Sequence, residues 1–163
     1  DKMMQGYDRN KNLPIAGFTA GPCLVKDTMQ LNSLLSGKFN MGRSALSINE
    51  KFPNFLISQL QKRYKIKKKN VGILGLAFKS NVDDIRDSLS FKLIKILDRK
   101  KIKYYVSDEY YSDPNCISKE SLIKKSDIII VAVPHKQYKN LRISKNKIIV
   151  DTWNVLKKWK IYW

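Results

Sequence analysis

Cys23, Lys26 and Asp27 share the short stretch GPCLVKDTM, Gly21–Met29. A thiol, an ammonium and a carboxylate this close in sequence can share one site. The thiolate is the reactive form of cysteine, so a nucleophilic Cys23 needs surroundings that favour negative charge. Lys26 and the start of a helix after Asp27 could both provide that. The alternative fate of a free cysteine is a small buried hydrophobe. The Gly-Pro before Cys23 and the Lys-Asp after it set it apart from that fate. Cys116, between Asn115 and Ile117, fits no such pattern.

A second stretch, VGILGLAFKSNVDDIRDS (Val71–Ser88), reads as a strand, a turn and the entry to a helix. Its glycines follow G-x-x-G, and Phe78 and Lys79 stand where a dinucleotide fingerprint wants glycine, so it does not read as an NAD-binding turn. Lys79 at a strand end can reach an anion directly. Asp83 or Asp84 can cap the helix or fix Arg86, and Arg86 can grip a phosphate in bidentate fashion. Lys79 and Arg86 are otherwise ordinary surface cations. His135 falls at another strand end, where exposure or a structural hydrogen bond is expected.

The elements around these residues follow from apolar periodicity. Residues 1–26 read as loop. Asp27 or Thr28 can cap a helix carrying Met29, Leu31, Leu34 and Leu35, with Gly37 as its stop. A second helix is expected from about Gly42 to Tyr64, kinked or broken near Pro53. Val71–Phe78, Ile102–Asp108, Asp127–Pro134 and Lys147–Asn154 read as strands. Ser90–Arg99 and Glu120–Ser126 read as the helices between them, and KQYKNL as a helical turn. The fold class is therefore α/β, a Rossmann-like parallel sheet preceded by a helical segment. Ligands of such sheets sit beyond the carboxyl ends of the strands.

The chain has 163 residues, 43% of them hydrophobic, enough for a core. No apolar run is long enough to span a membrane, and the polar start DKMMQGYDRN is no signal peptide. The chain does not begin with Met, which suggests a processed product or a piece of a longer protein. Two distant cysteines make no disulfide framework, so a cytoplasmic setting is expected. No metal site is expected. The formal charge of +18 comes from 32 Lys and Arg against 14 Asp and Glu. It fits an anionic partner or a lysine-rich composition spread along the chain.

Together, GFTAGPCLVKDT (Gly17–Thr28) and GILGLAFKSNVDDIRDS (Gly72–Ser88) resemble the UDP-glucose/GDP-mannose dehydrogenase family, the NAD-dependent nucleotide-sugar 6-dehydrogenases. Both segments occur in the family's order, with a long helical stretch between them. The resemblance implies the end of a central domain, with the catalytic cysteine and a helical remnant (residues 1–68). A terminal Rossmann-like domain for the nucleotide sugar would follow (residues 69–163). The family's amino-terminal NAD domain has no counterpart in the sequence, so this chain alone should be inactive.

The resemblance also implies chemistry. An alcohol becomes a carboxylate through two hydride transfers to NAD. Cys23 would capture the intermediate aldehyde as a thiohemiacetal, which is oxidised to a thioester and hydrolysed. Lys26 and Asp27 are implied as its catalytic neighbours, and Cys23, Lys26 and Arg86 as the contacts to NAD. Arg9, Gly17, Phe18, Thr19, Ala20, Phe78 and Lys79 are implied as contacts to a UDP-sugar. Many members carry glycines in the last two places before the cysteine where this loop reads FTAGPC, implying a subgroup with a different sugar. The full-length form is expected to be a homodimer or larger homo-oligomer in polysaccharide biosynthesis. The alternatives are a non-catalytic nucleotide-sugar-binding module, or a basic nucleic-acid-binding domain. The latter lacks interleaved aromatics, so no specific nucleic acid is expected.

Overall fold

A computed structural model describes residues 17–156. Arg9, the implied substrate contact from outside the loop, lies beyond them. Helix α1 (Pro22–Leu34) and helix α2 (Asn40–Arg63) precede a sheet of four strands: β1 (Val71–Leu74), β2 (Tyr104–Ser107), β3 (Ile128–Val131) and β4 (Ile148–Asp151). Helix α3 (Leu89–Arg99) joins β1 to β2, and helix α4 (Lys119–Lys125) joins β2 to β3. All pairings are parallel and the order is β2-β1-β3-β4. The expected α/β class is therefore the observed one.

The strands are shorter than their apolar runs, because those runs continue into buried turns. Alternation within the strands sorts their side chains between two layers. Ile73, Ile128 and Ile130 face a cluster with Leu56, Ile57 and Leu60 of α2 and Leu93 and Leu97 of α3. Leu74, Ile129 and Val131 face Leu122 of α4 and Tyr138. The second helix thus packs on the sheet domain through its inner face. Its outer residues Met41, Ile48 and Phe55 are exposed.

Two boundaries differ from expectation. Helix α1 starts at Pro22, not after Asp27, with Gly21 as its N-cap. Proline at the first helical position is pre-set for the helix and gives up an amide that has no partner there. Thr28 lies inside the helix, its hydroxyl donating to the Leu24 carbonyl at 2.8 Å. Helix α2 runs unbroken through Pro53, which is itself buried. Burial of Leu56, Ile57 and Leu60 beyond it holds the two halves in line despite the missing amide. Gly37 ends the first helix as expected, its amide returning to Asn32 O at 2.8 Å.

The chain leaves β1 towards β2 on one side and reaches β3 on the other. The carboxyl end of β1 is therefore the switch point of the sheet, where a crevice opens in folds of this kind. Phe78 and Lys79 follow β1, Asp108 follows β2, His135 follows β3 and Trp153 follows β4.

Candidate active site and nucleotide-sugar pocket

The loop Gly17–Gly21 is fastened at four points, two on that carboxyl edge and two on α2. A Cβ on Gly17 would lie 2.2 Å from the Trp153 ring, so only glycine lets the backbone lie on the indole. Trp153 is held in turn by its indole N–H, which donates to Ala132 O at 2.8 Å. Phe18 is buried and meets Phe52 of α2 edge-on, ring centroids 5.4 Å apart. Asn49 of α2 donates from Nδ2 to the Thr19 carbonyl at 2.6 Å. Gly21 has φ +123°, and a Cβ there would come 2.9 Å from the Phe78 ring. These contacts bring the cysteine loop and the β1 exit together.

The position of Gly21 yields a prediction. Gly21→Ala adds a strained backbone conformation and a contact with Phe78 at once. It should destabilise the chain by about 2 kcal/mol and shift the start of α1. Chemical denaturation would read the first effect. Wild-type stability in the variant would show that the loop has another backbone solution.

Cys23 lies in the first turn of α1 and is exposed to solvent. Among the described residues nothing packs it away as a small buried hydrophobe. The unpaired amides of the helix start favour a negative charge there. Lys26 Nζ lies 3.3 Å from Asp27 Oδ1, with both side chains more than half exposed. So open a pair adds little to stability and leaves both groups available to a ligand.

Arg86 makes a fork with Asp84, Nη2 to Oδ2 at 2.6 Å and Nε to both oxygens at 3.0 Å. These hydrogen bonds hold the Asp84 carboxyl below its ordinary range, and the same contact raises the Arg86 guanidinium. Cys23 is near enough to Arg86 to add a smaller push in the same direction. The structure therefore places Cys23 and Arg86, 63 positions apart in the sequence (86 minus 23), within electrostatic reach. Lys79 is exposed, its Nζ 5.4 Å from the centroid of the Phe78 ring.

Behind this edge is a group that the sequence did not mark as a site. Asp108 Oδ2 accepts the amides of Leu76 at 2.5 Å and Ala77 at 3.2 Å, and faces His135 Nε2 at 3.1 Å. Its Oδ1 accepts the amides of Tyr110 at 2.8 Å and Tyr111 at 2.9 Å. Burial alone would raise this carboxyl. The His135 hydrogen bond and the amides of Leu76, Tyr111 and Tyr110 outweigh it and hold the group well below its ordinary value. The signal in the sequence was only a polar residue ending an apolar run, Ser107-Asp108 and Pro134-His135. Of the two expectations for His135, the structural hydrogen bond holds and exposure does not: the side chain is fully buried.

That arrangement also tests the turn after β1 against NAD. A dinucleotide turn offers its free amides to a pyrophosphate. Here the Leu76 and Ala77 amides are already taken by Asp108. The turn does not fit NAD, in line with its altered glycine pattern. Among the described residues, no group of three or more His, Cys, Asp or Glu could hold a metal, and no helix is long and apolar enough to cross a membrane.

Residues 72–158 match the UDP binding domain of the UDP-glucose/GDP-mannose dehydrogenase family. The chain belongs to this family. Among relatives, a UDP-N-acetyl-D-mannosamine dehydrogenase of Methanococcus vannielii is 36% identical over 70% of this chain and 30% of its own length. A UDP-glucose 6-dehydrogenase of Rickettsia bellii is 26% identical over 95% of this chain and 42% of its own. Among solved structures, the UDP-D-ManNAc dehydrogenase of Pyrococcus horikoshii superposes with a TM-score of 0.76 at 30% identity. The overlap covers 92% of this chain and 38% of that one. The chain thus spans well under half the length of these dehydrogenases. The UDP binding domain of the family takes in β1 to β4 and with them Phe78, Lys79, Arg86, Asp108 and His135.

Proposed function

We propose that this chain is the nucleotide-sugar-binding and cysteine-bearing part of a UDP-N-acetyl-D-mannosamine 6-dehydrogenase. The observation that carries the reading is the exposed Cys23 at a helix start, with its loop clamped against the β1 exit of a UDP binding domain. The choice of sugar follows three relatives of 30–36% identity that are UDP-N-acetyl-D-mannosamine dehydrogenases.

In this reading the UDP end lies over the carboxyl edge of the sheet. Lys79 supplies a mobile cation for the diphosphate and Phe78 an apolar wall. The sugar extends towards the Gly17–Gly21 loop, whose backbone lies close to it because two of its positions bear no side chain. Arg9, Thr19, Ala20 and the backbone of Phe18 complete the proposed substrate contacts, while the buried Phe18 ring holds the loop from within the core.

Oxidation of a primary alcohol to a carboxylate removes two hydrides, and NAD would accept them. The turn after β1 does not fit NAD, and Cys23, Lys26 and Arg86 are the proposed contacts to it within this chain. Within the chain, the Cys23 thiolate adds to the aldehyde carbon and forms a C–S bond, and the resulting thiohemiacetal keeps the aldehyde from escaping. After the second oxidation the sulfur is held as a thioester. Water attacks its carbonyl, the C–S bond breaks, and the thiol and the carboxylate are released. In this reading Asp27, one turn along α1, orients that water, and Lys26 favours the thiolate.

The test uses the whole enzyme carrying this chain. UDP-N-acetylmannosamine should give the uronate with about two NADH per sugar, and the chain alone should give none. UDP-glucose should be poorer in kcat/KM. No uronate from any UDP-sugar would leave the non-catalytic binding module as the surviving reading. That module is separable by calorimetry with UDP.

A further inference from the structure

His135 reports its own protonation state through its two neighbours. A backbone N–H can only donate, and that of Asn81 points at Nδ1 from 2.9 Å. Nδ1 therefore carries the lone pair. Nε2 faces Asp108 Oδ2 at 3.1 Å, and that carboxyl is held ionised by four amides and this ring. Nε2 therefore carries the proton, and the ring is a neutral, single tautomer.

The bond to Asn81 fixes the loop that follows β1. Asn81 adopts φ +59°, and its Oδ1 accepts Tyr110 Oη at 3.2 Å and the Lys136 amide at 3.1 Å. Asn81 thus ties the exits of β1, β2 and β3 together. Lys79 stands two residues before it, and Phe78, against which the Cys23 loop rests at Gly21, three before.

We propose that Asp108 and His135 are positioning residues of the nucleotide-sugar site, with the neutral imidazole splinting the Phe78–Asn81 loop in its ligand-ready form. The inference rests on the reading of that loop as part of the site. Without the Nδ1 lone pair the Asn81 amide loses its acceptor, and the loop carrying Phe78 and Lys79 loses one of the two Asn81 bonds that tie it to the β3 exit. The groups that face the ring are Asp108 and Tyr110 from the β2 exit and Tyr138 from the turn after β3, ring centroids 5.1 and 5.3 Å away for the two tyrosines. The Tyr138 hydroxyl stays neutral, held far above its ordinary value by burial first and by Asp108 and Glu109 after that. Glu109 is paired with Lys119 at 3.0 Å.

Nitrogen NMR and amide exchange on this chain test the splint without any ligand. At about pH 8 the His135 proton should sit on Nε2, with the Asn81 amide protected. In His135→Leu, which removes the acceptor at nearly unchanged volume, that protection should collapse while the Ile73 and Ile130 amides keep theirs. Affinity for UDP-N-acetylmannosamine should fall roughly tenfold in the same variant, the size of about one hydrogen bond. His135→Asn keeps an acceptor where Nδ1 stood, so its affinity should stay near that of the wild type. A proton on Nδ1 at neutral pH, or Asn81 protection unchanged in His135→Leu, overturns the proposal. The same fall of affinity in His135→Leu and His135→Asn also overturns it. Asn81 exchange as expected, with no UDP-sugar bound at any pH, overturns the assignment of the loop to a nucleotide-sugar site, and with it the positioning role.

Discussion

Cys23→Ser in the whole enzyme is expected to lower carboxylate formation on the order of a thousandfold or more, as loss of a covalent nucleophile does. The alcohol that replaces the thiol is not ionised at neutral pH, and the pull of one helix start is far too small to ionise it. It cannot trap the aldehyde or leave readily from an acyl intermediate. The first oxidation does not need the sulfur. Product should therefore stop at the aldehyde level, and a carbonyl-trapping reagent should capture it while uronate stays near background. The fold is not the cause of the loss, because Cys23 is exposed. A one-atom change at such a position should stay within about 0.5 kcal/mol of wild type. The decisive readings are thermal melting, which should be unchanged, and chromatography of the products. Uronate formed by the variant at the wild-type rate would remove Cys23 from the chemistry, and the exposed thiol would need another purpose.

Much of the sheet was legible because a strand buried on both faces must be apolar throughout. DIIIVAVP could be little else, and Ile128–Val131 is completely buried. The same signal misplaced the strand ends. Apolarity reports burial rather than ladder pairing, so GLAF looks like a continuation of β1, although Leu76 and Ala77 are buried in a turn whose amides serve Asp108. The start of α1 departs from expectation for a local reason. Asp27 and Thr28 look like caps, but Pro22 and Gly21 had already set the helix in motion. Pro53 misled in the other direction, since a local rule cannot see that the residues after it pack on α3 and the sheet.

The candidate site was legible in part for a different reason. Cys23, Lys79 and Arg86 lie in two quotable stretches: a loop running into the first turn of α1, and β1 with the turn that follows it. What joins the stretches was hidden: Trp153 under Gly17, Asn49 on Thr19, Phe78 against Gly21. Each pair is distant in sequence, and none has a pattern of its own. Asp108 and His135 show the limit most clearly. Each is a single polar residue at the end of an apolar strand, 27 positions from the other (135 minus 108). Only the parallel order of β2, β1 and β3 lets them meet across the end of β1.

That meeting makes Asp108 the side chain whose loss should cost the fold most. Asp108→Ala leaves the amides of Leu76, Ala77, Tyr110 and Tyr111 and the His135 ring without their acceptor, in a place where the carboxylate itself is fully buried. Breaking a buried charge network from one side costs about 3 kcal/mol or more, and denaturation should show a lower midpoint with an unchanged slope. The effect depends on pH with a definite sign. The folded carboxyl lies below its ordinary value of 3.8, so it binds its proton less readily than in the unfolded chain. Its contribution is complete above that value and is lost as the pH falls through it towards the folded value. The gap between wild type and Asp108→Ala should therefore be widest near neutrality and close progressively in acid, provided the sheet survives there. Asp108→Asn separates charge from shape: one amide oxygen can serve some of the donors, but its NH2 group meets the amides head-on. It should fall nearer to alanine than to wild type. If it melts with the wild type instead, water satisfies the amides, and the carboxylate is not what holds the three strand exits together.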